Sequence, residues 1–185
     1  MIHHYLFTIA FLLFDFLLNI LGQTDFALTV SIFIPCTSLV AFVLSTKELS
    51  VYDAIKFSLF YGLFSSLFIP NNLWIQMVCL LLVSLFVRIW AMNISDSFLE
   101  LLILSIVMIF IFQSCSFGMN KIKGLTSISY LFWAYRYLLK TIIYNIPLAA
   151  LVIYLHNLMD EIIMERMVEK ARNEELFWHK LKNRS

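Results

Sequence analysis

Asp15 is the ionisable side chain that this sequence places deepest inside an apolar segment. It lies in the stretch LLFDFLLNIL, where Phe and Leu surround it. If residues 4–21 form a membrane helix, a rise of about 1.5 Å per residue puts Asp15 near the middle of the bilayer. An ionisable group at that depth requires a partner, a proton or a water-filled cavity, so Asp15 is the first candidate site residue.

Arg88 and Asn145 are the other two candidates for polar contacts within the membrane. Arg88 is the only cation well inside a predicted span, but it lies a few residues from the end of that span and could extend to the headgroups. Three arrangements stay open for Asp15: contact with a polar group of another helix, an ion pair with Arg88, or a neutral protonated form bonded to a neighbouring helix. Asn145 stands two residues before Pro147, which indicates helix packing or partner contact.

The sequence carries none of the side-chain sets that enzymes or metal sites use. Two histidines are terminal and the other two are isolated, and no CxxC or CxxH spacing occurs. No Gly-rich phosphate loop, Ser-His-Asp set or Cys-His set can be assembled. We therefore predict that the protein is not an enzyme and has no catalytic residues, cofactor or metal. We interpret Cys36, Cys79 and Cys115 as apolar core residues.

The composition indicates a membrane protein. Of 185 residues, 62% are hydrophobic and 14% are charged, whereas about a quarter of a soluble domain is charged. A chain of this length cannot hide so much apolar surface from water, so the bilayer must be its solvent. The net charge of +1 argues against nucleic-acid binding. The apolar N-terminus lacks the basic region and cleavage site of a signal peptide, and we interpret it as the first membrane helix.

The elements that must position these residues are membrane helices. We predict an all-α fold, an integral membrane helical bundle of about six transmembrane helices, because each such helix needs about 20 mostly apolar residues. The six stretches are residues 4–21, 26–45, 51–69, 73–92, 98–115 and 141–159. The links are short except for residues 116–140. We predict one transmembrane domain over residues 1–159 and an amphipathic helical tail, charged and cytoplasmic, over residues 160–185.

Lys and Arg residues in the links orient the predicted bundle. With both termini on one side, that side receives Lys47, Lys56, Arg88 and the six tail cations. The opposite side receives the loop that contains Lys121 and Lys123. Because cytoplasmic loops carry the excess of Lys and Arg, we predict a multi-pass membrane protein whose N-terminus and C-terminus are both cytoplasmic.

Two interpretations stay open for residues 127–140, SISYLFWAYRYLLK. Tyr130, Trp133 and Tyr137 form an aromatic stripe and the two cations form another, which suits an interfacial helix lying flat among the headgroups. Alternatively, the segment is the outer end of a long, tilted last helix. The tail leaves a similar choice between a solvated helix end that fixes topology and a docking helix for a cytosolic partner.

In this layout the chain resembles MreD, the rod-shape-determining membrane protein family, in its Gram-positive form. The resemblance rests on six short-linked helices, the acidic first helix LLFDFLLNILG, the central run from IPCTSLV to LFVRIW and the last helix TIIYNIPLAALVIYL. Gly62 stands where MreD carries a glycine in its third helix, and Arg88 stands where its fourth helix ends in a cation. The chain departs from the family at Cys36, Thr37 and Ser66, near which MreD often carries Asp, and in its longer tail.

The resemblance implies a non-enzymatic assembly or scaffold protein of the bacterial cytoplasmic membrane. Such a protein would bind the single-span protein MreC and help to assemble the glycosyltransferase RodA with its penicillin-binding transpeptidase. It would thereby support cell-wall elongation, peptidoglycan synthesis and rod shape. The alternative is a small-molecule, vitamin-type substrate-binding subunit of a membrane transporter, which also has six short-linked helices and would need a polar pocket.

Overall fold

The structure is a computed structural model that describes residues 2–22, 34–67, 73–91 and 97–182, with the backbone alone for residues 173–182. Its helices are α1 (Ile2–Gly22), α2 (Thr37–Glu48), α3 (Val51–Ser66), α4 (Leu73–Ala91), α5 (Phe98–Ile122), α6 (Tyr130–Trp133), a π-helical turn (Ala134–Leu138) and α7 (Leu139–Lys182). No described residue lies in a β-strand. The predicted all-α class is therefore confirmed.

Within the described ranges, four helical stretches are long and apolar enough to cross a membrane. They are Ile2–Leu21, Leu73–Trp90, Phe98–Ile122 and Tyr130–Arg172. The protein is thus a membrane protein by the length and composition of its helices. α2 and α3 have 12 and 16 residues, fewer than the roughly 20 that a spanning helix needs. The prediction of six spans is therefore not confirmed.

The predicted bounds of the second span are wrong within the described chain. Residues 26–33 lie outside the described residues, and the helix begins only at Thr37 and continues to Glu48. Cys36 has φ −128° and ψ 31°, which is not helical. Pro35 explains the late start, because proline has no backbone N–H and disfavours a helical conformation in the residue before it.

Most of the predicted link over residues 116–140 is helical. α5 continues past the apolar stretch to Ile122 and ends where Gly124 adopts a positive φ of 71°. The Gly124 and Leu125 N–H groups donate to the carbonyl oxygens of Lys121 and Asn120 at 3.0 and 2.9 Å, which is the Schellman pattern of helix ends. On the other side of the link, residues 130–140 belong to one helical backbone with the last predicted span.

α2 is the central helix of the core. Every residue from Thr37 to Thr46 is buried, so these ten residues of α2 present no face to lipid or water, and α1, α4 and α5 pack around α2. α3 packs on α4 through Gly62, where a Cβ atom would lie 3.0 Å from the Met77 Cγ. The absence of a side chain at Gly62 therefore brings these two helices close together.

The C-terminal residues from Tyr154 to Ser185 form a second unit. Its described part is helical. His156 and Asp160 lie one turn apart, with Nδ1 and Oδ2 3.0 Å from each other. Most side chains from Glu161 to Arg172 are exposed, as expected for a charged helix in water.

Candidate functional site

The N-terminus of α2 is the point where polar side chains of other helices converge. The first N–H groups of any helix have no acceptor within that helix. At α2 this end is enclosed, because Cys36, Thr37 and Ser38 are all buried. Cys36, which precedes the helix, makes no side-chain capping bond. The donors of this segment must therefore find acceptors on other helices, since unpaired buried donors are strongly unfavourable.

Asp15 on α1 supplies two of these acceptors. Its Oδ1 accepts bonds from the Thr37 backbone N–H at 2.9 Å and the Thr37 hydroxyl at 2.6 Å. Its Oδ2 accepts bonds from the Ser38 N–H at 2.8 Å and the Ser38 hydroxyl at 2.6 Å. Four donors on two oxygens match the capacity of an ionised carboxylate, and a negative charge is favourable at a helix N-terminus. Asp15 is therefore a helix cap supplied by a neighbouring helix.

Tyr61 on α3 extends this network. Its hydroxyl donates to the Ser38 Oγ at 2.7 Å, and the Ser38 hydroxyl donates in turn to Asp15. The ring of Tyr61 stacks on Phe42 of α2 with 5.1 Å between centroids, and Phe42 stacks on Phe57 of α3 at 5.2 Å. Aromatic packing therefore fixes the position from which Tyr61 donates.

Asn145 on α7 binds the residues immediately before α2. Its Oδ1 accepts a bond from the Cys36 N–H at 2.7 Å. Its Nδ2 donates to the carbonyl oxygens of Ile34 and Thr141, both at 2.8 Å. Both amide hydrogens and the amide oxygen are thus used. The Cys36 thiol also accepts a contact from Gln113 Nε2 of α5 at 3.6 Å.

These side chains form one polar cluster around residues 34–38. We define the polar cluster as Asp15, Cys36, Thr37, Ser38, Tyr61, Gln113 and Asn145. Four different helices contribute to it in addition to α2 itself. The cluster therefore links nearly the whole described membrane part of the chain through one short segment.

The polar cluster lies one helix length away from the turn between α2 and α3. α1 and α2 run in opposite directions, because His4 Nε2 is 3.6 Å from Glu48 Oε2 at one end while Asp15 contacts Thr37 at the other. The 12 residues of α2 put the cluster about 18 Å from the turn between α2 and α3. With that turn at the membrane surface, the cluster lies inside a hydrocarbon core about 30 Å thick.

Arg88 is not part of the polar cluster. Its Nη1 donates to the carbonyl oxygen of Leu49, in the turn between α2 and α3. This turn is at the end of α2 opposite to Asp15, so the structure does not bring Asp15 and Arg88 together. The structure therefore shows Asp15 in contact with polar groups of another helix and separates it from Arg88.

What the polar cluster can do follows from its own geometry. No family model, curated protein or solved structure matches this chain. Each oxygen of Asp15 already accepts two hydrogen bonds, which leaves no lone pair for a metal ion or for the work of a general base. The arrangement satisfies the backbone at the start of α2 and joins helices to one another.

Asp15 and Asn145 are predicted from the sequence, but the residues that they bind are not. Thr37 and Ser38 stand directly before the apolar run that begins at Leu39, and hydroxyl residues in that position are a signal for a helix start. That signal could have located the beginning of α2. Tyr61 and Gln113 carry no comparable signal, because nothing in their spacing marks them among the other polar residues of α3 and α5.

Proposed function

We propose that this protein is a non-enzymatic assembly protein of the MreD type in the bacterial cytoplasmic membrane. It would bind a single-span MreC-like partner and help to bring RodA and a penicillin-binding transpeptidase together for peptidoglycan synthesis. The observation that supports this proposal is the closure of the polar cluster. The acidic residue at membrane depth is occupied by the start of α2, which favours a structural use of its polarity over chemistry or ligand binding.

The proposal includes six membrane-crossing segments with both termini in the cytoplasm. α2 and α3 would belong to the second and third of these crossings. Their short helices are compatible with this arrangement where they are enclosed by protein, because non-helical backbone at membrane depth is tolerated when it is buried. α2 meets that condition along its first ten residues.

The exposed apolar faces of the helices supply the surface for a partner. On α4, exposed side chains recur along one stripe, at Trp74, Val78, Leu82, Leu85 and Ile89. In a membrane, helices associate through close packing, since lipid is as apolar as the side chains. A single membrane helix of an MreC-like protein would pack along such a stripe.

Co-purification tests the proposal directly. The tagged protein is co-expressed with the MreC of the same organism, solubilised gently and weighed by mass spectrometry. We expect a stoichiometric complex that survives moderate salt, because a contact between apolar membrane helices is insensitive to screening. A folded protein that yields no complex would contradict the proposal.

Single tryptophan substitutions would then locate the partner. Leu82→Trp and Leu85→Trp enlarge the α4 stripe, and Leu13→Trp makes the matched change on an exposed face of α1. A position in the interface should reduce the yield of complex without lowering the unfolding temperature. A position that faces lipid should leave both unchanged.

A vitamin-type transporter subunit remains the second hypothesis from the sequence. It predicts a small ligand that raises the unfolding temperature of the purified protein, since a ligand that binds only the folded state stabilises it. A ligand screen by thermal shift, together with the co-purification, separates the two functions.

A further inference from the structure

The end of α5 and the beginning of α6 form a hairpin that aromatic side chains hold together. Phe117 of α5 stacks on Trp133 with 4.4 Å between ring centroids, and Tyr130 contacts both rings. The Tyr130 hydroxyl also lies 3.1 Å from the Ser114 Oγ. Together with the Schellman turn at Gly124, these contacts give the hairpin a defined shape. We call residues 117–140 the basic hairpin.

The basic hairpin carries positive charge and no negative charge. Its four cations are Lys121, Lys123, Arg136 and Lys140, and all four are exposed. The sequence contains no Asp or Glu between Glu100 and Asp160, so no neighbour along the chain neutralises them. Lys121 Nζ donates to the Ile128 carbonyl oxygen at 3.3 Å, and the Arg136 guanidinium lies 5.7 Å from the centre of the Phe132 ring. Neither contact removes the charge.

Large apolar side chains are exposed beside these cations. Ile122, Leu131 and Tyr135 are 84%, 80% and 81% exposed. A surface that faced water alone would not present this mixture, whereas the headgroup region of a bilayer accommodates apolar side chains, aromatic rings and cations together.

The basic hairpin lies at the end of α5 that is opposite to the turn between α2 and α3, since Gln113 of α5 contacts Cys36 at the start of α2. α5 has 25 residues and is therefore about 37 Å long, more than the hydrocarbon thickness of about 30 Å. Its polar end thus emerges among the headgroups. The charge there opposes the Lys and Arg bias of the other links, so membrane orientation does not account for it.

We propose that the basic hairpin binds the phosphate headgroups of anionic phospholipids at this surface. The exposed cations would pair with the headgroup phosphates, while Ile122, Leu131 and Tyr135 enter the layer just below. This proposal is independent of the proposed partner, because it concerns the basic hairpin and not the exposed stripe of α4, and it requires no other protein.

Lipid selectivity tests the proposal. The protein is reconstituted in vesicles of equal phosphatidylglycerol and phosphatidylcholine and extracted in mild detergent, and the lipids that remain bound are quantified by mass spectrometry. We expect wild-type protein to retain more phosphatidylglycerol. A variant with Lys121→Gln, Lys123→Gln and Arg136→Gln should lose at least about half of that excess, since each cation near an anionic surface strengthens attraction severalfold.

Two matched variants separate charge from structure. The charge-conserving variant Lys121→Arg, Lys123→Arg and Arg136→Lys should keep the wild-type lipid ratio, and Lys56→Gln at the other end of the bundle should keep it too. An unchanged ratio in the glutamine variant would overturn the proposal, as would an equal loss in the charge-conserving variant. If the triple glutamine variant does not fold, Lys123→Gln alone is compared with Lys123→Arg, with the same two outcomes.

Discussion

At the scale of single residues, Asp15 determines how α2 begins. A carboxylate in an apolar environment is unfavourable unless hydrogen bonds compensate it. Here two backbone N–H groups and two hydroxyls do so. The same bonds satisfy a helix end that would otherwise be buried with unpaired donors. Asp15 and the N-terminus of α2 therefore satisfy each other's hydrogen bonds.

Asp15→Leu should destabilise the fold. The substitution leaves the Thr37 and Ser38 N–H groups buried without an acceptor, at about 1–3 kcal/mol each. With a shift of about 2–4 °C per kcal/mol for a chain of this size, we expect the unfolding temperature in detergent to fall by roughly 4–24 °C. Leu17→Ala, at an exposed position of α1, is the control and should change it little. Equal shifts for the two variants would contradict the capping role.

Asn145→Leu should act on the same segment as Asp15→Leu. It removes the acceptor of the Cys36 N–H and the donor to the Ile34 carbonyl, so we expect a further destabilisation of roughly 1–3 kcal/mol. Because Asp15 and Asn145 fix adjacent residues, their effects should not add. A double-mutant cycle by thermal unfolding should give a coupling above about 0.5 kcal/mol, and strict additivity would show that the two caps are independent.

At the scale of helices, close contact between α3 and α4 depends on Gly62. An added Cβ would lie 3.0 Å from Met77 Cγ and 3.4 Å from Met77 Cα. The Cγ atom belongs to a flexible side chain that would have to shift by a few tenths of an ångström, and the Cα atom belongs to the backbone of α4 and would lie in van der Waals contact. An added Cβ would therefore crowd Met77, and a larger side chain would push the two helices apart.

Gly62→Ala should lower stability, and Gly62→Val should lower it more. Overpacking of this kind typically costs about 1–3 kcal/mol, which exceeds the gain of about 0.5–1 kcal/mol from replacing a helical glycine by alanine. Gly118→Ala is the matched control, since a Cβ there meets nothing within 4 Å, and it should leave the unfolding temperature equal or higher. A stabilised Gly62→Ala protein would contradict the close packing.

Helix positions could be predicted from hydropathy better than helix ends. Four helices, α1, α3, α4 and α5, begin within two residues of their predicted starts. Each is an apolar run bounded by polar links, and such a pattern indicates the position of a helix. The start of α2 was misplaced, since hydropathy does not record where a helix begins inside a membrane. Asp15 could be selected as an ionisable residue in an apolar run. The contacts of Asp15 with Thr37 and Ser38 join residues that are 22 and 23 positions apart, and the contact of Asn145 with Cys36 joins residues that are 109 positions apart. Such contacts follow from tertiary packing, and no rule of sequence spacing predicts them.

At the scale of the whole molecule, the described helices have two ends with different chemistry. One end contains Glu48, Leu49 and Arg88 around the turn between α2 and α3. The other end contains the basic hairpin, with its aromatic cluster and exposed cations. The polar cluster lies between them. Each end should therefore be reachable from one side of a membrane only.

Cysteine labelling should place these two ends on opposite membrane faces. In a background with the three native cysteines replaced by alanine, Val51→Cys marks the α2–α3 end and Ser127→Cys marks the basic hairpin, and both positions are exposed. We expect a membrane-impermeant maleimide applied outside cells to label Ser127→Cys alone, and Val51→Cys to react only after permeabilisation. Labelling of both from the outside would refute the arrangement.

The capping of α2 by distant helices also has a consequence for synthesis in the cell. The ribosome makes Asp15 before α2 exists, but Asn145 appears 109 residues after its partner Cys36. A nascent chain that ends before α7 would thus leave the Cys36 N–H and the Ile34 carbonyl without the partner that Asn145 supplies, and unpaired backbone groups are strongly unfavourable inside a membrane. The start of α2 can therefore reach its final hydrogen bonding only after the last helix has been made.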